Sequence, residues 1–315
     1  MDSAELQKLA AHTRSTREAG TALLLASGIL ALFLFIPHSY GERPQDTATV
    51  ASPAAPDAFA KIAPDAKAAI VYDVVTGETL YAKNADAQLP LASLTKLLTV
   101  YAALSTLSPD TPVTVPEAAT KLEAPRAFNV GQTFSLADLA RLTLTASLND
   151  GAAAIALATA ERQGETESAM LASAAAGLGL SQTYAINGSG LDVSKTVSGG
   201  YGSARDLARL AGALASRAPA IAEATTVGYT EAVSLGGTHF RVKNTDPIVG
   251  TIPRLLLSKT GFTDLAGGNL AIVFDAGIQH PIAIVVLGSS KDARFTDSAA
   301  LVAGTLAHFA GVASL

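Results

Sequence analysis

Leu91-Ala92-Ser93-Leu94-Thr95-Lys96-Leu97-Leu98 follows Pro90 and runs into Thr99-Val100-Tyr101-Ala102-Ala103-Leu104. A proline followed by an unbroken apolar run marks a helix start. Residues three apart are neighbours on a helical surface, so the Ser93 hydroxyl and the Lys96 amine share a face. Ser93 then sits near the helix N-terminus, where the macrodipole favours the negative charge of a developing alkoxide. Lys96 lies against an apolar helix, and desolvation there lowers a lysine's pKa and frees its amine to take a proton. The two form a candidate nucleophile and base. Taken alone, the spacing also fits a helix N-cap followed by a solvated lysine.

Upstream of this helix, Ala68-Ala69-Ile70-Val71-Tyr72-Asp73-Val74-Val75 and Glu78-Thr79-Leu80-Tyr81-Ala82-Lys83 flank Thr76-Gly77. Two β-favouring runs around a glycine turn predict a hairpin. Downstream the period becomes helical. Ser135-Leu136-Ala137-Asp138 is a serine N-cap with an acidic residue three on, opening a helix from Leu136 to about Leu144. Helical composition resumes over Ala152 to Ala160, which places Ser147 and Asn149 on the connection between two helices. Such connections present chemistry, although Asn149 or Asp150 would equally serve as a cap. Further helices are expected from about Thr166 to Ala176 and, capped by Ser203, to about Leu214. The loops Asn187-Gly188-Ser189-Gly190-Leu191-Asp192 and Ser198-Gly199-Gly200-Tyr201-Gly202 lack the Gly-Lys-Ser/Thr ending of a phosphate loop.

The last third reads as strands. Thr225 to Leu235 and Thr238 to Lys243 pair around Gly236-Gly237, Leu255 to Gly261 follows, and Asn269 to Phe274 and Pro281 to Gly288 finish the sheet. Thr296 to Phe309 is a closing apolar helix. Hairpin, helical block, antiparallel strands and terminal helix predict one α+β domain, an antiparallel sheet flanked by helices with an all-helical subregion.

Composition narrows the function. The chain is 49% hydrophobic and 16% charged, enough for a sizeable core. A net charge of −5 gives no basic footprint, so nucleic acid is not an expected partner. With no cysteine, thiolate nucleophiles, disulfides and cysteine zinc sites are excluded. Residues 1–18 are polar and mixed in charge, and Gly20 to Ile36 is uncharged and spans roughly the minimum for a bilayer core. Lys8, Arg14 and Arg17 before the span outnumber the single Arg43 just after it, which orients the N-terminus to the cytoplasm. The expected organisation is a cytoplasmic tail (1–18), a membrane anchor (19–37), a Pro- and Ala-rich linker (38–64) and an extracytoplasmic domain (65–315).

Ser93-Leu94-Thr95-Lys96, Ser147-Leu148-Asn149 and Lys259-Thr260-Gly261 occur once each, in that order. Together they are the signature of penicillin-binding serine acyltransferases. Their context, including Gly190-Leu191-Asp192, Tyr201-Gly202-Ser203-Ala204-Arg205-Asp206-Leu207 and Phe262-Thr263-Asp264 through Asn269-Leu270, resembles the D-alanyl-D-alanine carboxypeptidases, the low-molecular-weight penicillin-binding proteins. The resemblance covers about residue 60 to the end and implies a β-lactamase/transpeptidase-like fold. It implies that Ser93 attacks the bond between two D-alanines of a peptidoglycan stem peptide, with Lys96 as base. Ser147 would relay a proton to the departing D-alanine, and Asn149 would hold Lys96 and the substrate amide. Lys259 and the Thr260 hydroxyl would receive the terminal carboxylate, and Gly261 would let the strand approach. The backbone N–H groups of Ser93 and Phe262 would form the oxyanion hole. β-Lactams would acylate the same serine, and no metal or organic cofactor is expected.

Phe262 stands where such carboxypeptidases commonly have His, and the chain resembles the single-domain members, which include DD-endopeptidases. A β-lactamase would need a deacylating glutamate. Glu165 and Glu167 open a helix and lack the Glu-x-x-Leu-Asn context. The five histidines form no His-Glu-x-x-His. A rival of another class is a domain that keeps the cleft and binds wall peptide without turnover.

Overall fold

The computed structural model describes residues 57–311, with Asp2, His12 and Thr13. Among the described residues no helix is long and apolar enough to cross a membrane. Apart from Asp2, His12 and Thr13, the expected tail, the anchor and most of the linker lie outside them.

Five strands form one antiparallel sheet: β1 (Ala68–Asp73), β2 (Thr79–Lys83), β3 (Leu255–Thr263), β4 (Gly267–Asp275) and β5 (Pro281–Ser289). Their spatial order is β3-β4-β5-β1-β2. Between β2 and β3 the chain makes helices α1 (Thr95–Thr106), α2 (Leu136–Ala146), α3 (Asn149–Gln163), α4 (Glu167–Gly177) and α5 (Ala204–Arg217), and α6 (Ala293–Ala310) follows β5.

The apolar runs of the central strands arise because both faces of the sheet are covered. Alternate residues of a strand point to opposite faces. Ile70, Ala271, Val273, Ala283 and Val285 pack toward the helical block. Val71, Leu270, Ile272, Phe274, Ile282, Ile284 and Val286 pack against Leu301 and Val302 of α6. Each fully buried Val, Leu, Ile or Phe side chain here contributes about 1.5–3 kcal/mol of transfer free energy. Ala58 and Phe59 are buried in this second layer, so the packed unit begins upstream of the expected boundary at residue 65. Phe59 supplies apolar area against Tyr81 that a solvated linker would leave exposed.

Capping residues set the helix starts. Ser135 Oγ accepts from Asp138 N at 3.1 Å, and Ser203 Oγ accepts from Asp206 N at 3.1 Å. Such caps are each worth about 1 kcal/mol. The strands expected over 225–243 are shorter, Tyr229–Val233 paired with His239–Lys243, and form a separate ribbon instead of joining the sheet. Its apolar side chains Ala232, Phe240 and Val242 belong to the helical core, where the Phe240 ring lies 5.3 Å from Phe128 and 5.1 Å from Phe134. The pairing around the Gly236-Gly237 turn is as expected, but the surface that covers the ribbon is the helical core and not the sheet. β3 is thereby left as an edge strand of the sheet.

Candidate active site

Ser93 lies on a 3-10 turn, Ala92–Leu94, immediately before α1, one step earlier than a continuous helix would place it. Ala92 takes a left-handed backbone with φ 49°. Gly190, with φ 74°, packs on this turn so closely that a Cβ there would fall 1.9 Å from Ala92 O. Only glycine meets both conditions. From β4, Asn269 Nδ2 donates to Pro90 O and Leu91 O, each at 3.0 Å, and fixes the approach to Ser93 against the sheet.

The i,i+3 spacing brings Lys96 Nζ to 2.8 Å from Ser93 Oγ. The amine has two other partners, Asn149 Oδ1 at 2.8 Å and Ser189 O at 2.6 Å. Lys96 is fully buried, and burial pulls its pKa down to about 7, with the Asp150 carboxylate acting in the opposite sense. An ammonium sealed from water loses hydration that three hydrogen bonds only partly replace.

Asn149 is the first residue of α3, and the connection expected to carry it is only Ser147-Leu148. The Asn149 Nδ2 donates to Glu123 O at 2.9 Å, which turns Oδ1 toward Lys96. Asp150 beside it is buried and accepts from Ala127 N and Phe128 N, both at 2.8 Å. Ser147 ends α2 in the left-handed region, φ 58° and ψ 34°.

Lys259, on edge strand β3, donates to Ser147 Oγ at 2.8 Å and to Thr260 O at 2.7 Å. Burial, with Lys96 and Arg294 as like charges, holds its amine well below the ordinary lysine range, opposed by Asp246. Thr260 Oγ1 is 2.6 Å from Thr245 Oγ1. A Cβ on Gly261 would lie 2.9 Å from Leu91 O and 3.3 Å from Ser93 N, so β3 runs directly beside the serine turn. The Phe262 side chain is 44% exposed, with Lys291 Nζ 5.6 Å from its ring centre, so its side chain points away from the core.

Ser93, Lys96 and Asn149 are thus joined by hydrogen bonds, Ser147 and Lys259 by another, and Gly261 abuts the first group. Sequence reasoning missed Ser189, whose carbonyl holds Lys96. Its loop was legible as glycine-rich and, through Gly190-Leu191-Asp192, as part of the family context, but neither marks the Ser189 carbonyl. It also missed the buried Arg294, whose Nη1 donates to Gly261 O at 2.6 Å. Nothing in the run Lys291-Asp292-Ala293-Arg294 distinguishes that arginine from a surface one.

A profile of the D-alanyl-D-alanine carboxypeptidase family matches residues 51–291. The chain is 31% identical over 240 residues to the D-alanyl-D-alanine endopeptidase of Pseudomonas aeruginosa, covering 74% of each chain. It is 30% identical over 298 residues to the D-alanyl-D-alanine carboxypeptidase DacC of Escherichia coli, covering 88% of this chain and 67% of that one. Among solved structures, ampicillin-bound penicillin-binding protein D2 of Listeria monocytogenes aligns with a TM-score of 0.63 at 29% identity, over 78% of this chain and 98% of the other.

Proposed function

The chain belongs to the D-alanyl-D-alanine carboxypeptidase family of serine peptidases, and from that premise we propose that it removes the terminal D-alanine of peptidoglycan stem peptides through a Ser93 acyl-enzyme. The observation that carries the proposal is the buried Lys96 amine, 2.8 Å from Ser93 Oγ and titrating near neutrality. A general base works best with a pKa near the operating pH.

Ser93 Oγ attacks the carbonyl of the penultimate D-alanine and its proton passes to Lys96. The oxyanion is received by the N–H groups of Ser93 and Phe262, each such donor supplying about 3 kcal/mol. Collapse breaks the C–N bond, and the departing amine takes its proton from Lys96 by way of Ser147. Water then adds to the ester, giving its proton back through Lys96 and releasing the shortened peptide and Ser93. Lys259 and Thr260 receive the terminal carboxylate, whose charge offsets the burial of the lysine. A penicillin offers the same carboxylate and a strained amide, so it esterifies Ser93. The apolar run Gly20–Ile36 supports a single-pass anchor that holds this domain outside the cytoplasm.

Incubation of the full chain with benzylpenicillin tests the proposal by intact mass. An adduct on Ser93, lost in Ser93→Ala, is expected. An unmodified wild type would leave a wall-peptide-binding domain without turnover. The Pseudomonas aeruginosa relative favours a second reading, cleavage of cross-links. Release of D-alanine from a monomeric pentapeptide, compared with cleavage of a cross-linked dimer, separates the two.

A further inference from the structure

Glu167 stands in the first turn of α4, and its Oε1 accepts the Gly188 N–H at 2.5 Å. Gly188 O accepts from Thr99 Oγ1 at 2.8 Å, and the next carbonyl, Ser189 O, accepts from Lys96 Nζ at 2.6 Å. Lys96 and Thr99 are three apart on α1, so one helix face takes two successive carbonyls of the loop. The loop is clamped between α1 and α4. It has no slack there, because a Cβ on Gly188 would lie 2.6 Å from the Ala156 methyl and 3.0 Å from both Glu167 Oε1 and Thr99 Oγ1.

A neutral primary amine has two N–H donors and one lone pair. Asn149 Oδ1 and Ser189 O take the two donors, which leaves the lone pair facing Ser93 Oγ. Asn149 is held by Glu123 O, whereas Ser189 O is a loop carbonyl: the Gly190 N–H of its own peptide donates to Asn187 Oδ1 at 2.8 Å, and Glu167 holds the peptide that leaves Asn187 through the Gly188 N–H, so the turn is fixed from both ends. We propose that Glu167 is a positioning residue for proton abstraction from Ser93: its carboxylate holds the Gly188 N–H so that Ser189 O keeps the Lys96 lone pair on the serine. The inference rests on the reading of Ser93 as nucleophile and Lys96 as base. Glu167 is half-buried, and burial raises its carboxyl above the usual range, opposed by the Gly188 N–H. The other charged groups about Lys96 are Asp150 of α3 and Lys259 of β3, which lies across Ser147.

Three variants of the full chain test this, Glu167→Ala, Glu167→Gln and Glu167→Asp. Two readings are taken: the rate constant of Ser93 acylation by benzylpenicillin along its acid limb, and the Lys96 titration followed by the chemical shift of carbon-13-labelled lysine. A misplaced catalytic group typically loses on the order of tenfold or more in rate, and that loss is expected for Glu167→Ala. Its Lys96 midpoint falls, because the ammonium loses a charge-assisted acceptor. Glu167→Gln keeps a carbonyl oxygen toward Gly188 and recovers most of the rate. Glu167→Asp withdraws the acceptor by one methylene and behaves as Glu167→Ala, so it decides the question should the alanine variant not fold. Unchanged rate and midpoint in Glu167→Ala and Glu167→Asp, or a Glu167→Gln as impaired as Glu167→Ala, overturns the assignment. A wild type that penicillin does not acylate overturns the Ser93 reading instead, and the Lys96 midpoints still judge Glu167.

Discussion

Lys259 on the edge strand reaches Ser147 Oγ at 2.8 Å, although the one belongs to the sheet and the other to the end of α2, and Ser147 is held there by a left-handed backbone. A non-glycine residue in that conformation carries strain of about 1–2 kcal/mol. Position 147 therefore combines a conformational demand with a chemical one, and two substitutions separate them. Ser147→Gly and Ser147→Ala both lose the hydroxyl that the proposed mechanism uses to pass protons between Lys96 and the leaving amine. Positioned proton transfer is worth about 10²–10⁴-fold, so both are expected to lose turnover of a D-Ala-D-Ala peptide within that range. Thermal unfolding distinguishes them, with Ser147→Gly the more stable by about 1 kcal/mol. Equal melting of the two would deny the strain.

The Lys96 amine accepts a proton only when neutral, so acylation by benzylpenicillin rises with pH through about 7. Asp150 attracts the ammonium and holds that midpoint up. Asp150→Asn is expected to move the acid limb to lower pH. It also loses part of the hold on Ala127 N and Phe128 N, at a stability loss of about 1–3 kcal/mol. A limb displaced to higher pH contradicts this assignment of the carboxylate.

Stability carries the same signature. The folded Lys96 pKa of about 7 lies below the unfolded value of 10.5, so between these limits the unfolded chain binds the extra proton. Unfolding free energy then increases with pH across that window, by at most about 1.4 kcal/mol per pH unit per group, and the contribution is absent below it. Lys259, lowered in the same direction, adds to the slope. Denaturant unfolding of Lys96→Met should show a shallower rise from neutral to alkaline pH than the wild type. An identical slope in the two proteins excludes the linkage.

Gly261 has no unusual backbone angle, and what excludes a side chain is the 2.9 Å between a would-be Cβ and Leu91 O, with Ser93 N at 3.3 Å beside it. Gly261→Ala must push β3 away from the serine turn by a few tenths of an ångström. Both N–H groups assigned to the oxyanion belong to these two segments. Acylation is expected to fall by about tenfold or more, with the protein still folded by circular dichroism. Wild-type acylation in Gly261→Ala would remove the steric argument.

The parts of the site that were legible in the sequence are those where one element fixes two residues. Ser93 and Lys96 lie three apart on one helix start, and Lys259 to Phe262 lie on one strand. Caps such as Ser135 and Ser203 were legible because a side-chain oxygen announces itself by type. The hold on Lys96 by Ser189 was not, since a backbone carbonyl leaves no mark on residue identity. Arg294 and Glu167 were hidden for another reason. Each is an ordinary residue near a helix start, and only the packing of that helix against the loop or strand gives it a partner. The ribbon Tyr229–Lys243 shows the same limit in the fold, because alternation names an apolar face but not the surface that covers it.

The sheet order has a temporal side. β5 occupies the middle position, with β4 on one flank and β1 on the other, yet it is the last of the five strands in the chain. While a polypeptide emerges from the ribosome N-terminus first, the hairpin of β1 and β2 and the Ser93 turn with α1 exist for most of synthesis without the strand that joins them to β3 and β4. Ala68 waits for Leu287, and Asp73 for Ile282. Long-range pairing of this kind is slow to nucleate and leaves strand edges unprotected in the interval. The arrangement of Ser93, Lys96, Ser147 and Lys259 is thus completed only after nearly the whole domain has been made, because the strand that unites its two halves is among the last segments to appear.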